Sequence, residues 1–239
     1  MQKYLYPLLI LLLFSCSSKK EDNKNTIVIN PTEVSESTLL SDFVKEVKFI
    51  KLETKEESII AGPREIIIKD QFIYAVDKFQ KAILIFDMEG KFVSKLQKLG
   101  DGSDQYRNLG AVFISDDEST IEIIENFGEK SKRLTYSLFD FELLNSQPFN
   151  SPFANSSRRV GDVYYFATQQ IENFVNDEET NASIIIRDQD NQLSSLFPKN
   201  IETKRSGFSP FTESFTKNKK GELFISLVYD NTFYPLVSD

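Results

Sequence analysis

The sequence of 239 residues contains no histidine, no tryptophan and one cysteine. Without histidine, the Ser-His-Asp and Cys-His nucleophile arrangements, histidine general bases and histidine-ligated zinc sites are excluded. Basic residues are also in the minority, since 28 Lys and Arg stand against 36 Asp and Glu and give a net charge of −8. Because this charge opposes binding to a phosphate backbone, we expect no nucleic-acid partner.

Aromatic and aliphatic residues are plentiful. The chain has 21 Phe and 9 Tyr, and 40% of its residues are hydrophobic, which suffices for a sizeable core. Phe, Tyr, Ile and Val suit a pleated, half-buried strand surface, so the composition favours an all-β fold.

The N-terminus has the plan of a secretory signal. A single early cation, Lys3, precedes an apolar stretch at residues 4–14, which is too short for a membrane-spanning helix. Residues 13–16 read Leu-Phe-Ser-Cys and are similar to a lipobox, so we predict a signal peptide at residues 1–15 and lipidation of Cys16. Ordinary signal-peptidase cleavage with an unmodified Cys16 is the alternative.

A polar, charged segment follows the cysteine. Residues 16–40 begin Cys-Ser-Ser-Lys-Lys-Glu-Asp and bury too little apolar surface to fold, so we predict a lipid-anchored flexible tether. Its Lys20-Glu21-Asp22 run resembles the signal that sends some Bacteroidota lipoproteins to the outside of the outer membrane. A solvated linker without a localisation signal is the other interpretation.

A strand pattern recurs along the rest of the chain. Apolar runs flank turns that contain Asp87, Asp140 and Asp188, at spacings of 53 and 48 residues. Two further short strands precede each of these hairpins. Four short strands in a period of about fifty residues predict a β-propeller blade, because a lone four-stranded sheet cannot bury both faces. The predicted propeller domain spans 41–239, with blades at about 62–98, 108–147, 156–197 and 210–239.

The residues of the first blade carry a family resemblance. Gly62-Pro63, the strand Phe-Ile-Tyr-Ala-Val-Asp at 72–77, the hairpin turn at 87–93 and the loop at 99–106 resemble a blade of the NHL type. More narrowly, residues 40–239 resemble the six-bladed β-propeller lipoproteins of Bacteroidota. The loop at 100–106 departs from that family, because it lacks the proline and the later glycine of the Gly-x-Gly-Pro-Gly-Glu-Tyr pattern.

The number of blades also departs from the resemblance. About 3.5 to 4 four-stranded antiparallel blades are predicted, so the chain reads as part of a six-bladed propeller, a truncated member of the family. The alternative is a closed four-bladed ring in which residues 47–52 supply the outer strand of the fourth blade. A β-sandwich or a barrel is the runner-up architecture.

Candidate site residues lie on the propeller face that gathers the loops between second and third strands and between blades. We predict Arg64, Asp77, Arg107 and Arg205 as ligand-binding residues there, for a sugar, a carboxylated ligand or a peptide. A solvated rim is the alternative. Lys78 and Arg133 are expected on the same face.

No catalytic residue, metal ligand or cofactor is predicted. Asp77, Asp101 and Asp104 carry carboxylates of the kind that bind calcium, but their spacing fits no recognised calcium loop. The resemblance to lactonase-like six-bladed propellers implies a calcium-dependent hydrolase as one alternative function, with Glu65 and Asp77 at suitable positions. A non-functional truncated remnant is another.

The function expected from the sequence is therefore binding. We predict a non-catalytic lipoprotein of the cell envelope, anchored to the outer membrane through Cys16 and either periplasmic or surface-exposed. Its partner is expected to be a glycan, a peptide or another envelope protein.

Overall fold

The computed structural model describes residues 39–42, 44–125, 131–168, 171–197, 214–218, 220–227 and 232–236. The chain divides into two compact units, Met1–Lys48 and Phe49–Asp239. The described part of the first unit contains a 3-10 helix, Leu40–Asp42. No helix within the described ranges has the length and apolarity needed to cross a membrane.

The second unit consists of antiparallel sheets arranged as the four blades of a β-propeller, which confirms the predicted fold class. Blade 1 contains β1 (Pro63–Ile68), β2 (Phe72–Asp77), β3 (Ala82–Asp87) and β4 (Phe92–Leu96). Blade 2 contains β5 (Ala111–Ile114), β6 (Thr120–Ile124), β7 (Lys132–Ser137) and β8 (Leu143–Pro148). Blade 3 contains β9 (Ser156–Val160), β10 (Val163–Ala167), β13 (Ile184–Arg187) and β14 (Leu193–Leu196). The described part of blade 4 contains β15 (Phe215–Lys217), β16 (Leu223–Ser226) and β17 (Phe233–Leu236).

Two short elements lie outside the blades. A 3-10 helix, Glu56–Ser58, precedes blade 1. A two-stranded hairpin, β11 (Asn173–Val175) with β12 (Glu178–Thr180), is inserted between β10 and β13 of blade 3.

The recurring hairpin turn has a common physical basis in three blades. Asp87 accepts hydrogen bonds from the backbone N–H groups of Glu89 (3.1 Å) and Lys91 (2.8 Å). Asp188 repeats this with the N–H groups two and four residues later, at 3.0 and 2.8 Å. In blade 2 the equivalent residue is Ser137, whose hydroxyl accepts from the N–H of Phe139 at 3.2 Å. The assignment of Asp140 to this position was therefore wrong by three residues, because a serine side chain can cap the turn as an aspartate does.

Side chains that alternate along the middle strands bury each blade against the next. Tyr74 and Ile85 of blade 1 pack in one cluster with Ile123 and Tyr136 of blade 2. A second cluster joins blades 2 and 3, and a third joins blades 3 and 4. The core is thus a series of apolar layers between sheets, as a propeller requires.

The segment before blade 1 covers the face of that blade that points away from blade 2. Ile50 and Leu52 pack against the cluster that contains Leu84 and Phe86. The N–H of Glu53 donates to the carbonyl of Gly90 at 2.7 Å. Residues 47–52 form no strand, whereas the closed-ring alternative required them as the outer strand of blade 4.

Candidate functional site

The inner strands of the four blades surround a cavity of about 680 Å³. Side chains of β1, β5, β9 and β15 line it, as expected for the central channel of a propeller. This volume lies within the range of pockets that bind small molecules. The channel is therefore the candidate site that the fold itself creates.

Charged side chains are concentrated in this channel. In the part of the chain that the structure describes, the charged lining residues are four cations and three carboxylates: Lys69, Arg158, Arg159, Lys217, Glu65, Asp116 and Glu122. The channel thus carries a slight cationic excess in a chain whose net charge is −8. Such a local reversal of sign favours the entry of an anionic group.

Arg158 spans the channel between blades 3 and 1. Its guanidinium Nη1 lies 3.1 Å from Oε1 of Glu65 on β1. The same guanidinium lies over the ring of Phe215 on β15, 5.8 Å from its centre. Since both charged side chains are only part-buried, a ligand that enters the channel can reach this pair.

Arg159 points to the opposite side of β9, because neighbouring strand residues alternate. Its Nη1 lies 3.3 Å from Oε2 of Glu122, a residue of blade 2 that is only 6% exposed. The hydroxyl of Tyr164 donates to the other carboxylate oxygen of Glu122 at 2.7 Å and accepts from Nη1 of Arg133 at 2.8 Å. Burial and Glu122 raise the pKa of Tyr164, so its hydroxyl remains a donor at neutral pH.

The channel mouth on the side of the first inter-strand turns also carries charge. Lys69 Nζ lies 2.7 Å from Oδ1 of Asp116, joining blade 1 to blade 2. The Lys69 ammonium, with a smaller contribution from Lys217, lowers the pKa of Asp116. Asp116 is consequently a weaker base than an isolated aspartate.

Asp77 lies on the loop face and has a structural role there. This fully buried carboxylate accepts hydrogen bonds from the backbone N–H groups of Ala61 (2.6 Å), Gly62 (3.0 Å), Phe79 (3.0 Å) and Gln80 (3.0 Å). The Gln80 side-chain amide donates a further bond at 2.9 Å. Asp77 therefore closes the entry loop of blade 1, and its oxygens are already engaged.

The predicted arginines of the loop face are placed differently from one another. Arg64 is exposed on β1, where the pairing with β2 is shifted by an irregularity. Arg107 is exposed and its guanidinium Nε pairs with the carboxylate of Asp101. Arg205 and Cys16, the predicted lipidation site, lie outside the described residues.

The remaining basic residues expected on that face have structural contacts. Lys78 is part-buried, and its ammonium donates to the carbonyl of Gly110 at 2.5 Å. Arg133 extends between blades 2 and 3, over the ring of Phe149 at 5.2 Å.

Sequence reasoning missed the channel residues of blade 3. The strand at 156–160 was predicted, but its consecutive arginines, Arg158 and Arg159, were not considered as site residues. Two adjacent arginines on an inner strand are a usable signal. Neighbouring side chains of a strand point to opposite sides, so at least one of the two guanidiniums points toward the channel or the space between blades. Glu65, considered above for a hydrolase, pairs with Arg158.

The positions considered for calcium are each occupied by protein contacts. Asp104 pairs with Lys98 at 3.1 Å, Asp101 with Arg107, and Asp77 with backbone amides. Across the described ranges, no group of three or more Cys, Asp or Glu side chains is arranged to hold a metal ion.

Comparisons with known proteins agree with this fold. A family model described as Domain of unknown function (DUF4934) matches residues 25–239. A protein from Bacteroides fragilis NCTC 9343 that is named as exported (BF0058) has 19% identity and a TM-score of 0.61, over 80% of this chain and 54% of the other. A DUF4221 family member from Bacteroides vulgatus has 12% identity and a TM-score of 0.50, over 74% and 55%. No curated protein matches the chain significantly. The chain thus spans about half the length of these two solved proteins, and the likeness shows the fold.

Proposed function

This chain belongs to the family described as Domain of unknown function (DUF4934), and we propose that it is an envelope-anchored lipoprotein. Its β-propeller binds a ligand without catalysing a reaction. The ligand bears a carboxylate and enters the central channel. The observation that carries this proposal is the 680 Å³ cavity, in which Arg158 and Arg159 face carboxylates of two other blades.

The chemistry of the lining supports binding over catalysis. Each carboxylate in the channel contacts a cation: Glu65 contacts Arg158, Glu122 contacts Arg159 and Asp116 contacts Lys69. These carboxylates are thus already engaged in ion pairs within the channel. A guanidinium is suited to a planar carboxylate, because its N–H donors can form two parallel hydrogen bonds to the two oxygens.

A carboxylated glycan or an acidic peptide fits this channel. The carboxylate of either ligand would replace that of Glu65 as the partner of the part-exposed Arg158. The exposed Arg64 and Arg107 of the loop face would then meet parts of a longer ligand that extend beyond the mouth.

The proposed location is the outer membrane, with attachment through a lipid on Cys16. It is supported by the lipobox-like residues 13–16 and by the neighbour from Bacteroides fragilis that is named as exported. The same observations favour kinship with the six-bladed β-propeller lipoproteins of Bacteroidota, which the sequence resembles.

The test is a binding titration of the mature chain with oligogalacturonate, a carboxylated glycan, beside a neutral oligosaccharide of equal length. We expect only the carboxylated glycan to bind, and Arg158→Ala to weaken it about tenfold or more, as loss of a charge-assisted hydrogen bond implies. Lys91→Ala removes one exposed cation from an outer turn and should leave binding unchanged. Equal binding of both glycans, or equal loss in both variants, would contradict the proposal.

A further inference from the structure

The hairpin β11–β12 stands on the loop face of blade 3 and is built as a rigid element. Its two central turn residues, Asn176 and Asp177, both have positive φ, 53° and 65°. That geometry is a type I′ turn, which matches the twist of two short strands. The amide of Asn176 also donates to the carbonyl of Leu193 on β14 at 3.4 Å.

A buried asparagine attaches the base of this hairpin to the connection between blades 2 and 3. Oδ1 of Asn173 accepts from the N–H of Phe153 at 2.7 Å, and its Nδ2 donates to the carbonyl of Phe153 at 3.0 Å. The side chain thus pairs with a backbone as a neighbouring strand would. A third bond, from Nδ2 to the carbonyl of Ile171 at 3.1 Å, completes the attachment.

This attachment brings the backbones that carry two exposed phenylalanines together at the base of the hairpin. Phe153, which Asn173 contacts directly, is 51% exposed, and Phe174, the next residue after Asn173, is 64% exposed. Side chains alternate along β11, so that Asn173 and Val175 point inward while Phe174 points outward. Large aromatic residues held at the surface in a fixed position are typical of interaction sites.

The hairpin that carries Phe174 is negatively charged. Glu179 lies directly opposite Phe174 in the hairpin register. Asp177 and Glu178 are exposed at the tip, and residues 171–183 contain no Lys or Arg. Within the ranges that the structure describes, the carboxylates of Asp177, Glu178 and Glu179 form no ion pair.

We propose that Phe153, Phe174 and the adjoining acidic residues form a docking surface for a basic, arginine-bearing segment of another protein. Charge complementarity identifies the occupant, because an arginine can stack its guanidinium on a phenylalanine ring and pair with Glu179 at the same time. A lysine offers a point charge without the planar stacking surface. This surface is separate from the channel and does not depend on the ligand proposed for it.

The test measures the affinity of the mature chain for a short synthetic peptide of alternating arginine and glycine by fluorescence anisotropy. Phe174→Ala should weaken binding about fivefold or more, as loss of a cation–π contact implies. Phe139→Ala is the matched control, since Phe139 is 96% exposed but lies in the turn between β7 and β8. The corresponding lysine peptide should bind more weakly to the wild type.

A second pair of variants examines the charge. Glu179→Gln should weaken the arginine peptide about twofold to fivefold and reduce the salt dependence of binding. Glu142→Gln removes an exposed carboxylate from the β7–β8 turn and should change neither. Absence of arginine-peptide binding, unchanged affinity in Phe174→Ala, or an equal loss in Phe139→Ala would overturn the proposal. Arg158→Ala should leave peptide affinity unchanged, which keeps this result distinct from that for the channel.

Discussion

At the scale of single residues, the acids that end the second strands of blades 1 and 2 organise the loop face. Asp77 accepts the N–H groups of the entry loop of blade 1. Glu125, at the equivalent end of β6, accepts the N–H of Arg107 at 2.9 Å and lies 3.4 Å from the ammonium of Lys132. The same position therefore connects each of these blades to the segment that enters it.

Replacing Asp77 by asparagine should destabilise the fold. Burial alone would raise the pKa of Asp77, but hydrogen bonds from Gln80, Gly62 and Ala61 lower it from 3.8 to about 2. A depressed folded-state pKa stabilises the protein above the unfolded pKa, and this stabilisation is lost as pH falls through the folded value. We expect Asp77→Asn to lower the free energy of unfolding by about 2 kcal/mol at neutral pH, measured by urea denaturation.

The difference between wild type and Asp77→Asn should shrink as the pH falls from about 4 toward 2. Asp70→Asn, a change at an exposed turn residue, is the control and should have little effect at either pH. A wild-type-like stability of Asp77→Asn at neutral pH would contradict the structural role of this carboxylate.

The sequence alone is compatible with two roles for the aspartate at position 77. An aspartate at a strand end facing a loop suits either ligand binding or the capping of backbone N–H groups. Only the positions of Ala61 and Gly62 decide between these uses, and they depend on how the entry loop folds back onto β2. Arg64 and Arg107, whose side chains are exposed, stay predictions as ligand-binding residues.

At the scale of elements, one buried carboxylate connects blade 1 to blade 2. Glu118, in the turn between β5 and β6, has a positive φ of 52° and is nearly buried. Its Oε2 accepts from the hydroxyl of Tyr74 at 2.7 Å, and its Oε1 accepts from the N–H of Gln71 at 2.8 Å. The apolar layer between the two blades thus ends in a polar connection.

Tyr74→Phe should weaken this junction because it leaves one oxygen of a buried carboxylate without its donor. The expected loss is about 1–3 kcal/mol of unfolding free energy. Burial and the hydrogen bond to Glu118 raise the pKa of Tyr74, so the stabilisation is complete below the unfolded value of about 10 and is lost above it. Wild type should therefore lose more stability than Tyr74→Phe when the pH rises above about 10.

A double-mutant cycle with Glu118→Gln checks the direct contact. The two substitutions should be non-additive, since each removes part of the same interaction. Strict additivity, with an unchanged difference between wild type and Tyr74→Phe at alkaline pH, would show that the hydroxyl contributes nothing to the junction.

The elements differ in how well the sequence indicates them. The apolar runs of β2 and β3 are long and are bounded by turn residues, which makes a buried hairpin evident. The β11–β12 hairpin has only three residues in each strand and exposed acids, so that its pattern resembles a loop. Its Asn176-Asp177 pair, which tolerates positive φ, is the signal that could have indicated the turn.

At the scale of the whole molecule, the repeat predicts the propeller, whereas the channel follows only from the arrangement of blades. A blade is a local unit of about fifty residues, so the pattern of its apolar strands and turns recurs along the sequence. Glu65 and Arg158 are separated by 93 residues and belong to blades 1 and 3. No local pattern couples such positions, so their pairing across the axis becomes visible only in three dimensions.

Attachment to the membrane is the remaining property of the whole molecule that one experiment can decide. Cys16 is the only cysteine of the chain, so no other thiol can carry a thioester- or thioether-linked lipid. Each buried methylene contributes about 0.8 kcal/mol, and stable anchoring requires more than one acyl chain. We expect a fatty-acid analogue fed to cells to label the wild-type chain strongly and Cys16→Ser not at all. Ser17→Ala, a neighbouring change that keeps the thiol, should be labelled like wild type, whereas equal labelling of wild type and Cys16→Ser would refute the lipid anchor.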